Sequence, residues 1–237
     1  MKTKLILSLI AAFLIFNNTG VFAEDVTPII QKMDKLKESL MKYFIAAPKL
    51  NLKQKFLIHR VIKKHRDPIR QEGQELRAII MKSKNDFRQC LTREQLLKLM
   101  AKRDKFNMRP PFLKISLFLK GLKPFERIQL LTLSRTLRKS NENNISQNIE
   151  AIIKFFDNVL LPKIIKELEL ADEQQMKLHN ILDENQVEVK KMLNSIGLKF
   201  LKVKELIKPI LSEKQINYIE ANRDKVHQEI LEYVTEL

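Results

Sequence analysis

The chain has 237 residues, 44 Lys and Arg against 28 Asp and Glu, a formal net charge of +16, four glycines, one cysteine and no tryptophan. A single cysteine excludes an internal disulfide framework and a cysteine-built metal site, and so few glycines leave little for a phosphate-cradling loop or a nucleophile elbow. Abundant Lys, Leu and Ile, with no sustained run of alternating β-branched residues, predict an all-α protein with enough apolar side chains for a core.

Lys2 and Lys4 precede a 12-residue apolar run, Leu5 to Phe16, which gives way to a polar break and the small-residue ending Val21-Phe22-Ala23. The run is shorter than the roughly 20 residues that span a bilayer. The expectation is a secretory signal peptide over 1–23, cleaved after Ala23, with a retained anchor as the alternative. No cysteine follows the run that could carry a lipid. No later segment approaches spanning length, so the exported product would work in a periplasm or outside the cell.

Helical periodicity begins at Ile29, Met33, Leu36 and Leu40, which step by four and three along one face. Thr27 and Pro28 start that helix and Pro48 ends it. Leu52 and Phe56 open a long second segment, in which Asp67-Pro68 predicts either a kink or a restart. Leu96 and Leu99 belong to the helix that follows Leu91. Pro110-Pro111 stops that helix, Gly121 and Pro124 bracket a junction, residues 140–144 form a turn, and Pro162, Gly197 and Pro209 divide the remainder. The expected architecture is a multi-helix bundle or curved cradle. Cys90 reads as a small buried hydrophobe, with an intermolecular bridge as the alternative.

Residues 91–96, Leu-Thr-Arg-Glu-Gln-Leu, spell a helix start. The Thr92 hydroxyl can accept from the Gln95 backbone, the Gln95 side chain can reach back to Thr92, and Leu91 can pack on Leu96. Leu211, Ser212, Gln215 and Ile216 repeat the arrangement, and each such cap contributes on the order of 1 kcal/mol. Leu followed four residues later by Gln recurs at Leu50/Gln54 and Leu170/Gln174. Asn51 can cap the first of these. The second has Ala171 at that place, leaving Asp172 as a shifted cap.

The motifs of each pair lie 41 residues apart, and 50–105 aligns on 170–225 without gaps at 11 identities in 56 positions. His59 with His179, Lys82 with Lys202, Lys84 with Lys204 and the closing Arg-Asp-Lys are among them. Four phrases in register indicate an internal duplication. The expected units are 24–105, a connection over 106–169, and 170–237.

These phrases resemble the LTxxQ motif of the Spy/CpxP family of small periplasmic proteins, in which each unit carries two motifs. The resemblance covers 50–105 and 170–225. It implies an all-α fold of helices in a thin curved cradle, usually from two subunits, and either energy-independent chaperoning of unfolded envelope proteins or a role in sensing envelope stress. If the family unit works as a dimer, the tandem copy can supply both halves, so the chain is expected to be a monomer acting as a pseudo-dimer, or a homodimer. It exceeds the usual family length, and 106–169 have no counterpart in the motif.

Charge is unevenly placed: 49–139 carry a net +18, while 140–237 carry −4. Residues 59–66 would set Arg60, Lys63, Lys64 and Arg66 beside Val61 and Ile62, and 112–123 would set Lys114, Lys120 and Lys123 among apolar side chains. With Phe56 and Arg70, these residues (Phe56, Arg60, Lys63, Lys64, Arg66, Arg70, Lys114, Lys120) are the expected client-binding surface. Long-range attraction would speed encounter with acidic, partly unfolded proteins, and apolar contacts would hold them loosely. A solvated face kept for solubility is the plainer reading. An acidic sensor domain or an anionic membrane surface fits the same charge, whereas nucleic acid is disfavoured by the export signal and the lack of a recognised binding signature.

His59, His65, His179 and His227 lack the four-residue spacing that puts two imidazoles on one helix face. His59 and His179 read as packed or half-exposed helix residues. The eight methionines are scattered and read as core filler. The expectation is a non-enzymatic binder with no cofactor and no metal. Its first reading is a periplasmic chaperone or holdase, its second a regulatory protein docking on a sensor or membrane.

Overall fold

A computed structural model describes residues 48–107 and 111–235 and six helical positions between 31 and 42, the side chains of 102–115 excepted. The expected signal peptide, most of the helix after Thr27 and the Lys114 side chain lie outside the described residues. Helix α1 is Leu52–Gln89, α2 Arg93–Asn107, α3 Pro111–Lys120, α4 Pro124–Lys139 and α5 Ile145–Phe155; α6 is Leu161–Leu168, α7 Asp172–Ile207 and α8 Glu213–Thr235. A π turn, Phe156–Leu160, joins α5 to α6, and a 3-10 turn, Lys208–Ile210, ends α7. The fold is all-α, with no strand among the described residues.

Two long antiparallel helices, α1 and α7, form the spine. The sheltered positions of α1, such as Leu57, Ile58, Val61, Ile62, Ile69, Leu76, Ile80 and Phe87, recur at helical spacing and give one continuous stripe. Opposite them α7 presents Leu178, Leu193, Ile196 and Leu201, all buried. Near mid-length, the Ser195 hydroxyl donates to Glu72 Oε1 at 2.7 Å and the Lys199 ammonium pairs with the same oxygen. Burial raises the Glu72 pKa, but the hydrogen bonds from Lys199 and Ser195 and the Lys199 charge outweigh it, and the carboxyl stays below its ordinary range.

The helix restart at Asp67-Pro68 and the break at Gly197 do not occur. Helix α1 is one helix through Pro68; Asp67 and Pro68 face water, as does Lys64, whose carbonyl loses its bond to the missing N–H and can be met by solvent. Gly197 lies inside α7 and marks a close approach: a Cβ there would come within 3.0 Å of Ile145 Cγ1, so the residue lets α5 lie against the α7 backbone.

The connecting residues form no separate layer. Ile145 and Ile149 of α5 pack with Leu76, Leu193, Ile196 and Leu201 of the spine. Leu161, Ile164 and Leu168 of α6 join Phe87, Leu91, Leu99 and Leu178 at one spine end. Phe118, Leu119 and Leu122 pack with Phe155, Leu160 and Val234 of α8. The described apolar side chains of 112–123, expected at the surface, are therefore core: Leu117, Phe118, Leu119 and Leu122 are buried. Arg127 is buried too and ties this corner together, its guanidinium donating to the carbonyls of Leu122, Lys120 and Val234.

Replacing Pro68 by Ala restores a backbone donor in the interior of a continuous helix. The expected outcome is a gain of about 1–3 kcal/mol in urea unfolding with an unchanged m-value. A loss of stability would mean that the proline shapes α1.

Candidate functional site

All four motif glutamines end up in two contacts, and both contacts cross between the copies. Gln95 meets Gln174, and Gln54 meets Gln215. The first motif of each copy thus faces the second motif of the other, as an approximate two-fold relation demands.

Each glutamine does two jobs. Toward its own helix it closes a cap: the Gln95 N–H donates to Thr92 Oγ1 at 3.2 Å, and the Thr92 N–H donates to Gln95 Oε1 at 2.9 Å. Asn51 with Gln54 and Ser212 with Gln215 form the same reciprocal box. At the remaining motif Ala171 itself occupies the cap position, and α7 begins at Asp172. The expected shift of the cap to Asp172 does not occur. Only half of the box survives there, the Ala171 N–H donating to Gln174 Oε1 at 3.0 Å.

Toward the other copy each glutamine uses its amide nitrogen. Gln95 Nε2 donates to Gln174 Oε1 at 3.2 Å and to the Leu168 carbonyl at 2.9 Å; Gln174 Nε2 donates to Gln95 Oε1 at 2.9 Å and to the Cys90 carbonyl at 2.7 Å. At the far end Gln54 Nε2 donates to Gln215 Oε1 at 2.8 Å and to the Ile210 carbonyl at 2.9 Å, and Gln215 Nε2 returns bonds to Gln54 Oε1 and the Lys49 carbonyl, both at 3.2 Å. An amide has two donors and two acceptor sites, and every one of these is used at all four residues.

The motif leucines sit beneath the glutamines. Leu91 and Leu170 are buried in one cluster with Leu96 and Leu178, and Leu50 and Leu211 are half-buried at the opposite end. Thr92 and Ser212 are exposed, so the cap bonds of those two hydroxyls form at the rim. Cys90 is half-buried, its thiol donating to the Asp86 carbonyl at 3.3 Å. Glu169, at φ 51, is the one non-glycine residue with positive φ among those described; its left-handed backbone ends α6 and turns the chain into Leu170.

Of the expected client-binding residues, Phe56, Arg60, Lys63, Lys64, Arg66 and Arg70 all lie exposed on α1, around the side turned away from α7. Phe56 is 67% exposed, and Met176, its counterpart in the second copy, is 61% exposed. Lys120 is half-buried at the end of α3, remote in sequence from this face. His59 and His179 are both exposed instead of packed, because they fall outside the apolar stripes of α1 and α7. No group of three His, Cys, Asp or Glu side chains that could hold a metal ion occurs among the described residues. No described helix is long and apolar enough to cross a membrane.

A second charged locus joins α4 to α8. Asp224 accepts from Arg135 at 3.2 Å, with Lys139 at 3.5 Å and Arg223 at 3.9 Å. Beside it the buried His227 imidazole lies 3.3 Å from Arg138 Nη2. Burial lowers the His227 pKa, and the charges of Arg135 and Arg138 lower it further against the opposing pull of Asp224.

No protein-family model matches the chain, and no curated protein or solved structure matches it either.

Double-mutant cycles test the crossed pairing. Gln95→Ala and Gln174→Ala should each cost about 1–3 kcal/mol, with a coupling of at least about 0.5 kcal/mol, whereas Gln54→Ala and Gln174→Ala, at opposite spine ends, should add. Coupling of Gln54 with Gln174 and none of Gln95 with Gln174 would refute the pairing. His227 gives a pH test. Its folded pKa lies below the ordinary value of about 6.5, so the unfolded chain takes up a proton first as pH falls. Stability should drop as pH is lowered through about 6.5 and level off, for this group, below the folded pKa. His227→Gln should flatten that limb of a pH series of urea midpoints, and an unchanged slope would count against it.

Proposed function

We propose that the protein is an energy-independent holdase of the periplasm, built as a pseudo-dimer from two LTxxQ-type units and binding unfolded envelope proteins on the outer face of α1. The observation that carries this reading is the crossed pairing of the four motifs. It supports the view that one chain supplies both halves of a cradle that related units would assemble from two. The thin outer face is then the working surface. On α1 it combines five exposed cations, Arg60, Lys63, Lys64, Arg66 and Arg70, with the exposed ring of Phe56.

That mixture suits a weakly held, changeable client. Opposite charge accelerates encounter and is screened by salt over about 8 Å at physiological ionic strength. Lysine and arginine stems offer apolar contact without demanding a fixed geometry. Such contacts are individually weak, so release needs no fuel beyond the folding of the client itself.

The mature protein should suppress aggregation of several unrelated unfolded proteins at near-stoichiometric amounts, measured by light scattering. Charge reversal of Arg60, Lys63, Lys64 and Arg66 to Glu should slow capture of acidic clients by at least tenfold at low salt while leaving the melting temperature within a few degrees, since all four are exposed. Suppression of none of the clients would overturn the holdase reading and favour a regulator that docks on an acidic sensor domain or anionic membrane.

A further inference from the structure

Helix α5 lies on α7, where Lys190 pairs with Glu150 at 3.0 Å. Beyond the cluster that joins Ile145 and Ile149 to Leu76 of α1, a gap remains between α5 and α1. The gap is a half-open cavity of about 550 Å³ walled by Ile80 and Phe87 of α1, Ile149 and Ile153 of α5, and Phe156 of the π turn. Its floor is α7 from Leu178 to Leu201, which at ~1.5 Å per residue is a run of about 34 Å. The volume lies within the range of about 300–1,000 Å³ typical of small-molecule sites. The shape is that of a slot.

Both ends of the slot carry charged side chains. At one end Asp157, Asp183 and the buried Lys84 line the cavity with His179, and burial, followed by the charge of Asp183, raises the Asp157 pKa. At the other end Arg138 lines the wall beside Leu137 and Ile145. Its Nε is buried with no hydrogen-bond partner. Arg135, Lys139 and Arg223 stand around it, and among the described residues Asp224 is the carboxylate they pair with. Burial and the repulsion of Arg223 and Arg135 depress the Arg138 pKa. An anion at this end would relieve that repulsion and give the orphaned donor a partner.

We propose that this slot binds one single-chain anionic amphiphile, its acyl chain along α7 between α1 and α5 and its head group at Arg138. A polypeptide fits the slot poorly, because its backbone N–H and C=O groups would meet a wall of isoleucine, leucine and phenylalanine and lose their hydrogen bonds. An acyl chain has no such groups to satisfy. The slot lies on the spine side that carries α5, and the proposal stands apart from client binding on the outer face of α1.

Calorimetric titration of the mature protein with palmitate, below its critical micelle concentration, should give one saturable site. Laurate, four methylenes shorter, should bind about two-hundredfold more weakly, at about fourfold per methylene. Palmitoyl lysophosphatidylglycerol in a parallel arm identifies the source: tighter binding than palmitate points to a phospholipid product, weaker binding to a free fatty acid. Arg138→Gln should weaken palmitate at least tenfold, and Ile153→Trp, which fills the slot, should abolish binding while far-UV circular dichroism stays that of a folded helical protein. Arg135→Gln, which leaves the wall untouched, gives a smaller loss if Arg138→Gln fails to fold. No saturable binding of either anionic probe would overturn the proposal, as would equal affinity for hexadecyltrimethylammonium or unaltered affinity in Ile153→Trp.

Discussion

Two glutamine pairs determine how the two halves of this chain can meet. Burial of the facing stripes of α1 and α7 is the larger energy, since a buried Leu, Ile or Phe contributes about 1.5–3 kcal/mol and many line this seam. That term is non-directional, and two apolar stripes of helical period could pack equally well one turn apart, a shift of ~5.4 Å. The amides remove the degeneracy. A slip of one turn would break seven bonds between the copies and one from Gln95 to the Leu168 carbonyl of the insert, leaving part-buried amides and carbonyls unpartnered at both ends, at about 1–3 kcal/mol for each group left unsatisfied. Apolar burial holds the spine together, and the amides decide its register.

The same pairs explain why the motif has glutamine. A capping box closes as well with glutamate, whose carboxylate accepts from the cap N–H. A carboxylate has no donor for the neighbouring copy, and two facing carboxylates would repel. All four motifs carry the amide, and this was the available signal that the residue does more than cap its own helix. The sequence alone disclosed the caps at Asn51, Thr92 and Ser212 and the helical class, because these rest on local spacing. It did not disclose the partner of each amide, which depends on how two long helices cross. Local rules also misplaced Gly197 and Ala171: the close approach of α5 calls for a glycine inside α7, and Ala171 holds the cap position with half of the box, its N–H met by Gln174 of its own helix. The run 112–123 misled for a related reason: its apolar residues have the spacing of an amphipathic surface helix, and the α8 end that covers them lies more than a hundred residues away.

The two halves are unequal. The first copy carries the cations, and its α2 packs on α6 through Leu99. The second copy's α8 is longer, at 23 residues against 15, and packs on α4 instead. The insert, α3 to α6, settles along the spine and leaves the exposed basic residues of α1 uncovered. The fold therefore presents two chemically different regions. One is an open cationic surface that suits large, variable partners. The other is a narrow apolar slot that suits a slender one, with the π turn placing Phe156 and Asp157 in its wall. Both follow from the register, because the spine must be fixed before an insert can lie on it reproducibly.

The antiparallel, crossed arrangement of the two copies can be measured as a distance. Arg60 and Asn180 occupy equivalent places in the two copies, and both are exposed. In a Cys90→Ser background, spin labels on Arg60→Cys and Asn180→Cys read by pulsed electron paramagnetic resonance should lie about 40 Å apart, the span of some 29 residues of helix at ~1.5 Å each. A single narrow distribution near that value is the result expected of the crossed glutamine pairs. A distribution near about 10–20 Å, as for helices running side by side in the same direction, would contradict it.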